Sequence, residues 1–440
     1  MSELPRRRAF VSTLLTSVWI QALTVLTGAL TARLLGPEGR GQFAGAQVWP
    51  SIFGMVALLG INNALSLRAA KNRSCKPAFE RLALLWGLPL AGVAALVGWF
   101  ALPRLIPLDN PDLLPLSRLC LIQVPLFVLT SNLMAIDQGT GDFRRFNTAR
   151  NILTPVYLVL LLLLWCLKLR QVAWFLGALL AANAAVLLYR LAVVRWAVVS
   201  DVNPVSPSRL VRDGMPFWIT GIVLVLRDNA ERLLLMFLLG PVALGLYVVA
   251  FTASGVHLNV SKSLNLIVFA RSAAQIHDLA LADAARLFRL MALLNIALGV
   301  AMIAGLPLLI RIVYGPRFGA SVLPAMLLVT SQGLLSQGAI LDEALRAQAK
   351  PFIGLACVLL GMATFAGFGI LLAGHYGLVG VASAAIAGQV AYCGAIVIAT
   401  KRLVPGIQIC PSASDVGQLW MIAMSLIRSA VSRVLPAEPA

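Results

Sequence analysis

Leu34-Leu35-Gly36-Pro37-Glu38-Gly39-Arg40-Gly41-Gln42-Phe43 returns 204 residues later as Leu238-Leu239-Gly240-Pro241-Val242-Ala243-Leu244-Gly245-Leu246-Tyr247. Both read L-L-G-P-x-x-x-G-x-aromatic, and each lies between two long apolar stretches. A Gly-Pro pair of this kind stops one helix and starts the next. Glycine takes the left-handed conformation past a helix end, and proline suits a first helical position. The same offset brings Ile136-Asp137 close to Leu341-Asp342. The repeat predicts two halves built alike.

Outward from these turns the chain is strongly apolar. Its 440 residues are 60% hydrophobic and 12% charged, with a mean hydropathy of +0.90. Soluble domains carry about 25% charged residues, and a bilayer-spanning helix needs about 20 mostly apolar ones. Twelve such stretches lie near 10–32, 43–67, 80–103, 113–136, 146–168, 170–190, 214–239, 244–270, 287–310, 320–342, 351–373 and 377–400. The fold expected is an all-α polytopic membrane protein of two six-helix repeats. Six is even, so both halves enter the membrane the same way and form a parallel repeat about an axis along the membrane normal. The expected lobes are 1–199 and 213–402. A polar, Pro-rich linker (200–212) joins them, and the tail at 403–440 contains a surface helix with Trp420, Arg428 and Arg433.

The net charge of +18 at first allows a nucleic-acid binder. The placement of the basic residues decides otherwise. With the N-terminus inside, 24 of the 35 Lys and Arg fall on the inner side. Seven fall outside: Arg33, Arg40, Arg104, Lys168, Arg170, Arg311 and Arg317. That bias puts both termini in the cytoplasm and directs the charge toward anionic lipid, with no nucleic-acid partner. The six cysteines have no metal-ligand spacing, and no phosphate-binding loop, nucleophile elbow or H-E-x-x-H sequence occurs. No enzyme, cofactor or metal is expected.

Charges inside the spans cost about 2.5–3.5 kcal/mol each on insertion scales, so each needs an account. Arg227, Asp228, Glu231 and Arg232 cluster in span seven, where i,i+4 spacing predicts Arg227–Glu231 and Asp228–Arg232 pairs. Either the quartet only neutralises itself, or Arg227 meets an anion while Asp228 or Glu231 couples to an ion. In span eight Lys262 either snorkels to the cytoplasm or joins Asn259 and His257 in a polar stripe facing a wet cavity, and His257 is a packing residue or a proton-coupling group. Arg118 and Arg33 sit near the outer ends of spans four and one, as interface anchors or as part of a cationic funnel. Spans one, two, four, seven, eight and ten are polar, whereas five, nine and eleven are nearly free of central polar groups and suit lipid contact.

Three stretches together carry a family resemblance: Thr31-Ala32-Arg33-Leu34-Leu35-Gly36-Pro37 running to Phe43, Arg227-Asp228-Asn229 with the turn after it, and Tyr314-Gly315-Pro316-Arg317-Phe318. On them the chain resembles the Wzx-type polysaccharide flippases of the multidrug/oligosaccharidyl-lipid/polysaccharide exporter superfamily. The resemblance implies a bacterial inner-membrane protein whose two six-helix lobes form a V around a central cavity, as in multidrug exporters of that superfamily. It implies translocation of undecaprenyl-diphosphate-linked oligosaccharide units to the periplasmic face for O-antigen, capsule or exopolysaccharide synthesis. The family's cavity-lining helices are one, two, four, seven, eight and ten, the same set that composition picks as polar. Arg227, Lys262, Arg118 and Arg33 are then the candidate substrate contacts, and Asp228, Glu231 and His257 the candidate ion-coupling groups. Membrane lipid, a polysaccharide polymerase and glycosyltransferases are the implied partners. Many relatives have fourteen helices where this chain has twelve and a tail. The competing functions are a cation-coupled multidrug exporter, which would prefer acidic cavity groups, and a lipid II flippase. A membrane polymerase would need a large outer loop, and the longest here is about ten residues.

Overall fold

The computed structural model describes residues 3–107, 109–194, 207–255, 277–348 and 350–410, with 412, 415, 417 and 421 beyond. Among these residues the chain is helix joined by short turns, without strands. The α-helices are α1 (Glu3–Ala46), α2 (Val48–Leu58), α3 (Ile61–Lys71), α4 (Lys76–Leu105), α5 (Leu113–Cys120) and α6 (Gln123–Thr140). They continue with α7 (Phe143–Cys166), α8 (Val172–Val193), α9 (Pro207–Leu238), α10 (Gly240–Ser254), α11 (His277–Leu309), α12 (Val322–Ala347) and α13 (Pro351–Leu403). Most of the expected linker, most of the tail helix and span eight beyond residue 255 lie outside the described residues.

Seven of these helical segments are long and apolar enough to cross a bilayer, and a bent pair (Trp19–Leu58 with Ile61–Lys71) adds an eighth. Long helices hide further spans. α1 contains spans one and the start of two, broken at Gly36 (φ 70°). α13 contains spans eleven and twelve, broken at Gly377 (φ 54°). Gly240 (φ 77°) makes the matching break between α9 and α10, so the repeated turns share a positive φ at the first glycine as well as a sequence. Left-handed φ at each break is what glycine supplies and other residues resist.

One break was not expected. Span two bends by 46° at Leu59-Gly60, both with positive φ. The reason lies in α9: a Cβ on Gly60 would stand 2.1 Å from the Gly214 carbonyl oxygen, and one on Gly214 would stand 2.4 Å from that of Gly60. Two glycine backbones touch here because neither has a side chain. Lipid provides little hydrophobic drive between helices, so such close backbone approach is how membrane helices gain packing contact.

The helices divide into two compact units, Met1–Ala253 with Leu308–Ala325 and Gly369–Val381, and Ser254–Pro307 with Met326–Phe368 and Ala382–Ala440. In the first, Leu65, Phe79, Leu133, Ile136 and Leu210 join one buried cluster. In the second, Gly361 and Gly388 meet backbone to backbone within α13, each lacking room for a Cβ. There too Asn295 donates to Gln337 (3.2 Å) and Ser336 (3.3 Å), and Gln332 donates to Ser254 (2.8 Å). The polar residues of span ten thus tie helices together in this unit. Burial follows the polar pattern: half of the apolar window of span four and 44% of that of span ten are buried, against 28% for span five and 11% for span nine.

Candidate functional site

The repeated turns pack on each other. A Cβ on Gly41 would stand 1.7 Å from the Pro241 carbonyl oxygen and 3.0 Å from the Gly245 nitrogen. One on Gly245 would stand 1.8 Å from the Pro37 carbonyl oxygen and 2.8 Å from the Gly41 nitrogen. The contact is reciprocal, repeat position for repeat position. The duplicated sequence is therefore also a local two-fold junction, and its second glycines are required by contact rather than by φ.

Beside this junction lies a cationic cluster. Pro37 restarts the helix at once, so Arg40 is carried into the protein rather than out into a loop. Its guanidinium lies 5.3 Å from the Phe43 ring centroid, within electrostatic reach of Tyr157, Tyr314 and Arg232. Arg40 Nε and the Tyr314 hydroxyl are buried without hydrogen-bond partners. Tyr157 lies 3.5 Å from the Thr31 hydroxyl. Among the described residues neither Arg40 nor Arg232 has a carboxylate within 4.0 Å, although Glu231 and Asp228 act on Arg232 from further off. Buried donors without acceptors are costly, and an anion entering here would satisfy several at once.

The charges of α9 do not pair as the helical spacing predicts. Arg227 closes on its neighbour Asp228, with Nη2 at 2.9 Å and Nε at 3.1 Å from one carboxylate oxygen. The arginine is long enough to fold back across the helix surface, while Glu231 lies against Tyr247 of α10. Asp228 is 64% exposed and Arg227 26%. Arg33 donates to the Val313 carbonyl (2.9 Å) and to that of Ile312, capping the π-helical end of span nine. Arg118 stacks over Trp99 at 4.5 Å, as an anchor at the end of a span does. Lys262 and His257 lie outside the described residues. The structure thus gathers Arg227, Asp228 and Glu231 on one helix and engages Arg33 and Arg118 elsewhere. The sequence reading missed Arg40, which looked like a loop residue, and the tyrosines around it.

At the other membrane end the same unit holds a buried ion network. Arg190, fully buried, lies 3.0 Å from Asp137 and 3.4 Å from Glu80. Lys76 lies 2.9 Å from both Asp137 and Asp142, and Arg145 lies 3.3 Å from Asp142. Three cations and three carboxylates compensate one another across α4, α6, α7 and α8. Burial pushes the Asp142 carboxyl up, but hydrogen bonds from Lys76 and the Arg145 N–H, with their charges, hold it below the usual range. The available signal was charge at the same membrane end of four adjacent spans.

No curated protein matches the chain by sequence. The fold is similar to an inward-facing multidrug resistance transporter of the MATE family (TM-score 0.70, 16% identity, 88% of this chain and 95% of that one). It is similar to the lipid II flippase MurJ in an inward closed conformation (TM-score 0.71, 14% identity, 97% and 93%). It is also similar to a transporter of the same superfamily from Pyrococcus furiosus, described as having a binding pocket of reversed polarity (TM-score 0.56, 16% identity, 89% and 94%). The fold is that of membrane transporters and flippases, and the chain is a multi-pass membrane protein. With its match to the polysaccharide biosynthesis protein family over residues 7–270, more than half its length, the chain belongs to that family.

Proposed function

We propose that the protein flips undecaprenyl-diphosphate-linked oligosaccharide units from the cytoplasmic to the periplasmic leaflet of a bacterial inner membrane, with both termini cytoplasmic. Two six-helix lobes, 1–199 and 213–402, alternate access to the substrate, and 200–212 links them. Polymerase and glycosyltransferases act downstream and upstream. The observation that carries the reading is the Arg40–Arg232 pair, two half-buried cations with no carboxylate within ion-pair distance among the described residues, beside unsatisfied hydroxyl and guanidinium donors. A diphosphate supplies the missing charge and acceptors. Arg227, Lys262, Arg118 and Arg33 stay on the substrate side of the proposal as a wider cationic lining, and Asp228, Glu231 and His257 as ion-coupling groups. A multidrug exporter for cationic compounds would reverse this charge balance.

The test is an Arg40→Gln variant at wild-type abundance in cells that depend on the protein for surface glycan. A hydrogen bond to a charged group is worth about 1.5–3 kcal/mol, so export should fall roughly 10- to 100-fold. Normal glycan from both Arg40→Gln and Arg232→Gln cells would remove the proposed site.

A further inference from the structure

At the turn between α7 and α8, on the same membrane end as the Gly-Pro turns, a cavity of about 370 Å³ opens to the surface. Its apolar walls are Leu34, Leu164, Trp165 and Leu169, and Lys168 and Arg170 stand at its rim. No acidic residue lines it, and neither cation has a carboxylate within ion-pair distance among the described residues.

The turn itself is a Schellman closure. Leu169 N–H reaches the Leu164 carbonyl (3.0 Å) and Lys168 N–H reaches that of Trp165 (3.1 Å), and Leu164 and Leu169 line the same cavity. The residue in the left-handed position is Lys168, at φ 57°. Glycine is the usual occupant there, because a Cβ crowds the backbone. The turn would close at least as well with glycine, so its geometry gives no reason for a lysine.

The surroundings give one. On α7 the exposed apolar face runs through Val159 (63% exposed) and Leu163 (51%) to Leu167 (58%) just past its end, at the i,i+4 spacing of one helix face. It meets the two cations at its end. A ligand fitting this place has hydrocarbon on one side and an anionic group on the other. We propose that the cavity binds an anionic phospholipid, its phosphate on Lys168 and Arg170 and its acyl chains along the exposed face of α7. This annular site is separate from the Arg40 cluster and does not depend on the substrate read there.

Native mass spectrometry of the full chain tests it, with phosphatidylglycerol or phosphatidylcholine of identical acyl chains added to the detergent-purified protein. The wild type should retain phosphatidylglycerol preferentially. A cation near an anionic surface contributes about fivefold, so Lys168→Gly with Arg170→Ala should cut that preference by roughly 25-fold. Lys168→Gly alone should cut it about fivefold while leaving thermal stability unchanged or raised, since the turn favours glycine. Unchanged lipid preference in the double variant overturns the proposal. Displacement of bound phosphatidylglycerol by inorganic phosphate also overturns it, because the acyl chains would then contribute nothing.

Discussion

The junction between the repeated turns makes a prediction that ordinary helix chemistry gets wrong. Alanine normally stabilises a helix over glycine by about 1 kcal/mol. At Gly41 and Gly245 a Cβ would fall 1.7 and 1.8 Å from the opposing carbonyl oxygens. Carbon–oxygen contacts of about 3.3 Å are the close limit, so the two turns must part by about 1.5 Å. The obstacle is backbone on both sides, which cannot swing away as a side-chain tip can. Overpacking of this kind costs about 1–3 kcal/mol, which exceeds the helix gain. Either Gly41→Ala or Gly245→Ala should therefore destabilise, by up to about 2 kcal/mol net. Because one separation relieves both clashes, the double variant should cost no more than the worse single, a strongly non-additive cycle. Gly177→Ala in α8, with nothing within 4 Å of its added Cβ, is the control and should be neutral or stabilising. Thermal unfolding of the detergent-purified protein, followed by tryptophan fluorescence, reads all four. Additive single costs, or singles as harmless as Gly177→Ala, would refute the reciprocal contact.

The ion network and the turn at Asp142 give two more. Arg190→Met leaves Asp137 and Glu80 buried without their shared cation and should cost about 3–5 kcal/mol, while adding Asp137→Leu and Glu80→Met should recover most of it; unfolding midpoints of the single and triple variants report this. For Asp142, a folded-state pKa below the unfolded one means a stabilising contribution present above the unfolded value near 3.9 and lost as pH falls through the lower folded value. The wild type should thus lose more stability than Asp142→Asn between pH 5 and pH 3, and equal losses would show that Asp142 is not held by Lys76.

Much of this architecture was legible because lipid imposes a simple rule on length and polarity. Stretches of twenty apolar residues and left-handed glycines at 36, 240 and 377 declare themselves in one dimension. The bend at Gly60 did not, since its cause is Gly214, more than 150 positions away. The same holds for the repeat. The sequence match reveals that the two turns are alike, but only the structure places Gly41 and Gly245 against each other's partner proline. Arg40 was misread for a local reason, since a charge three residues after a proline looks like a loop until the helix is seen to resume at Pro37. The pairing in α9 failed because i,i+4 spacing describes neighbours on one helix and ignores competitors such as Tyr247 on the next. Lys262 and His257, singled out from sequence, lie outside the described residues.

The central claim, a carrier for an anionic lipid-linked sugar, is most directly tested in proteoliposomes loaded with a fluorescent undecaprenyl-diphosphate oligosaccharide. Wild-type protein should expose the labelled lipid to an external quencher faster than protein-free vesicles do, and Arg40→Gln with Arg232→Gln should abolish the acceleration. Extrusion of a cationic dye by the same vesicles, with the labelled lipid left in its original leaflet, would contradict it.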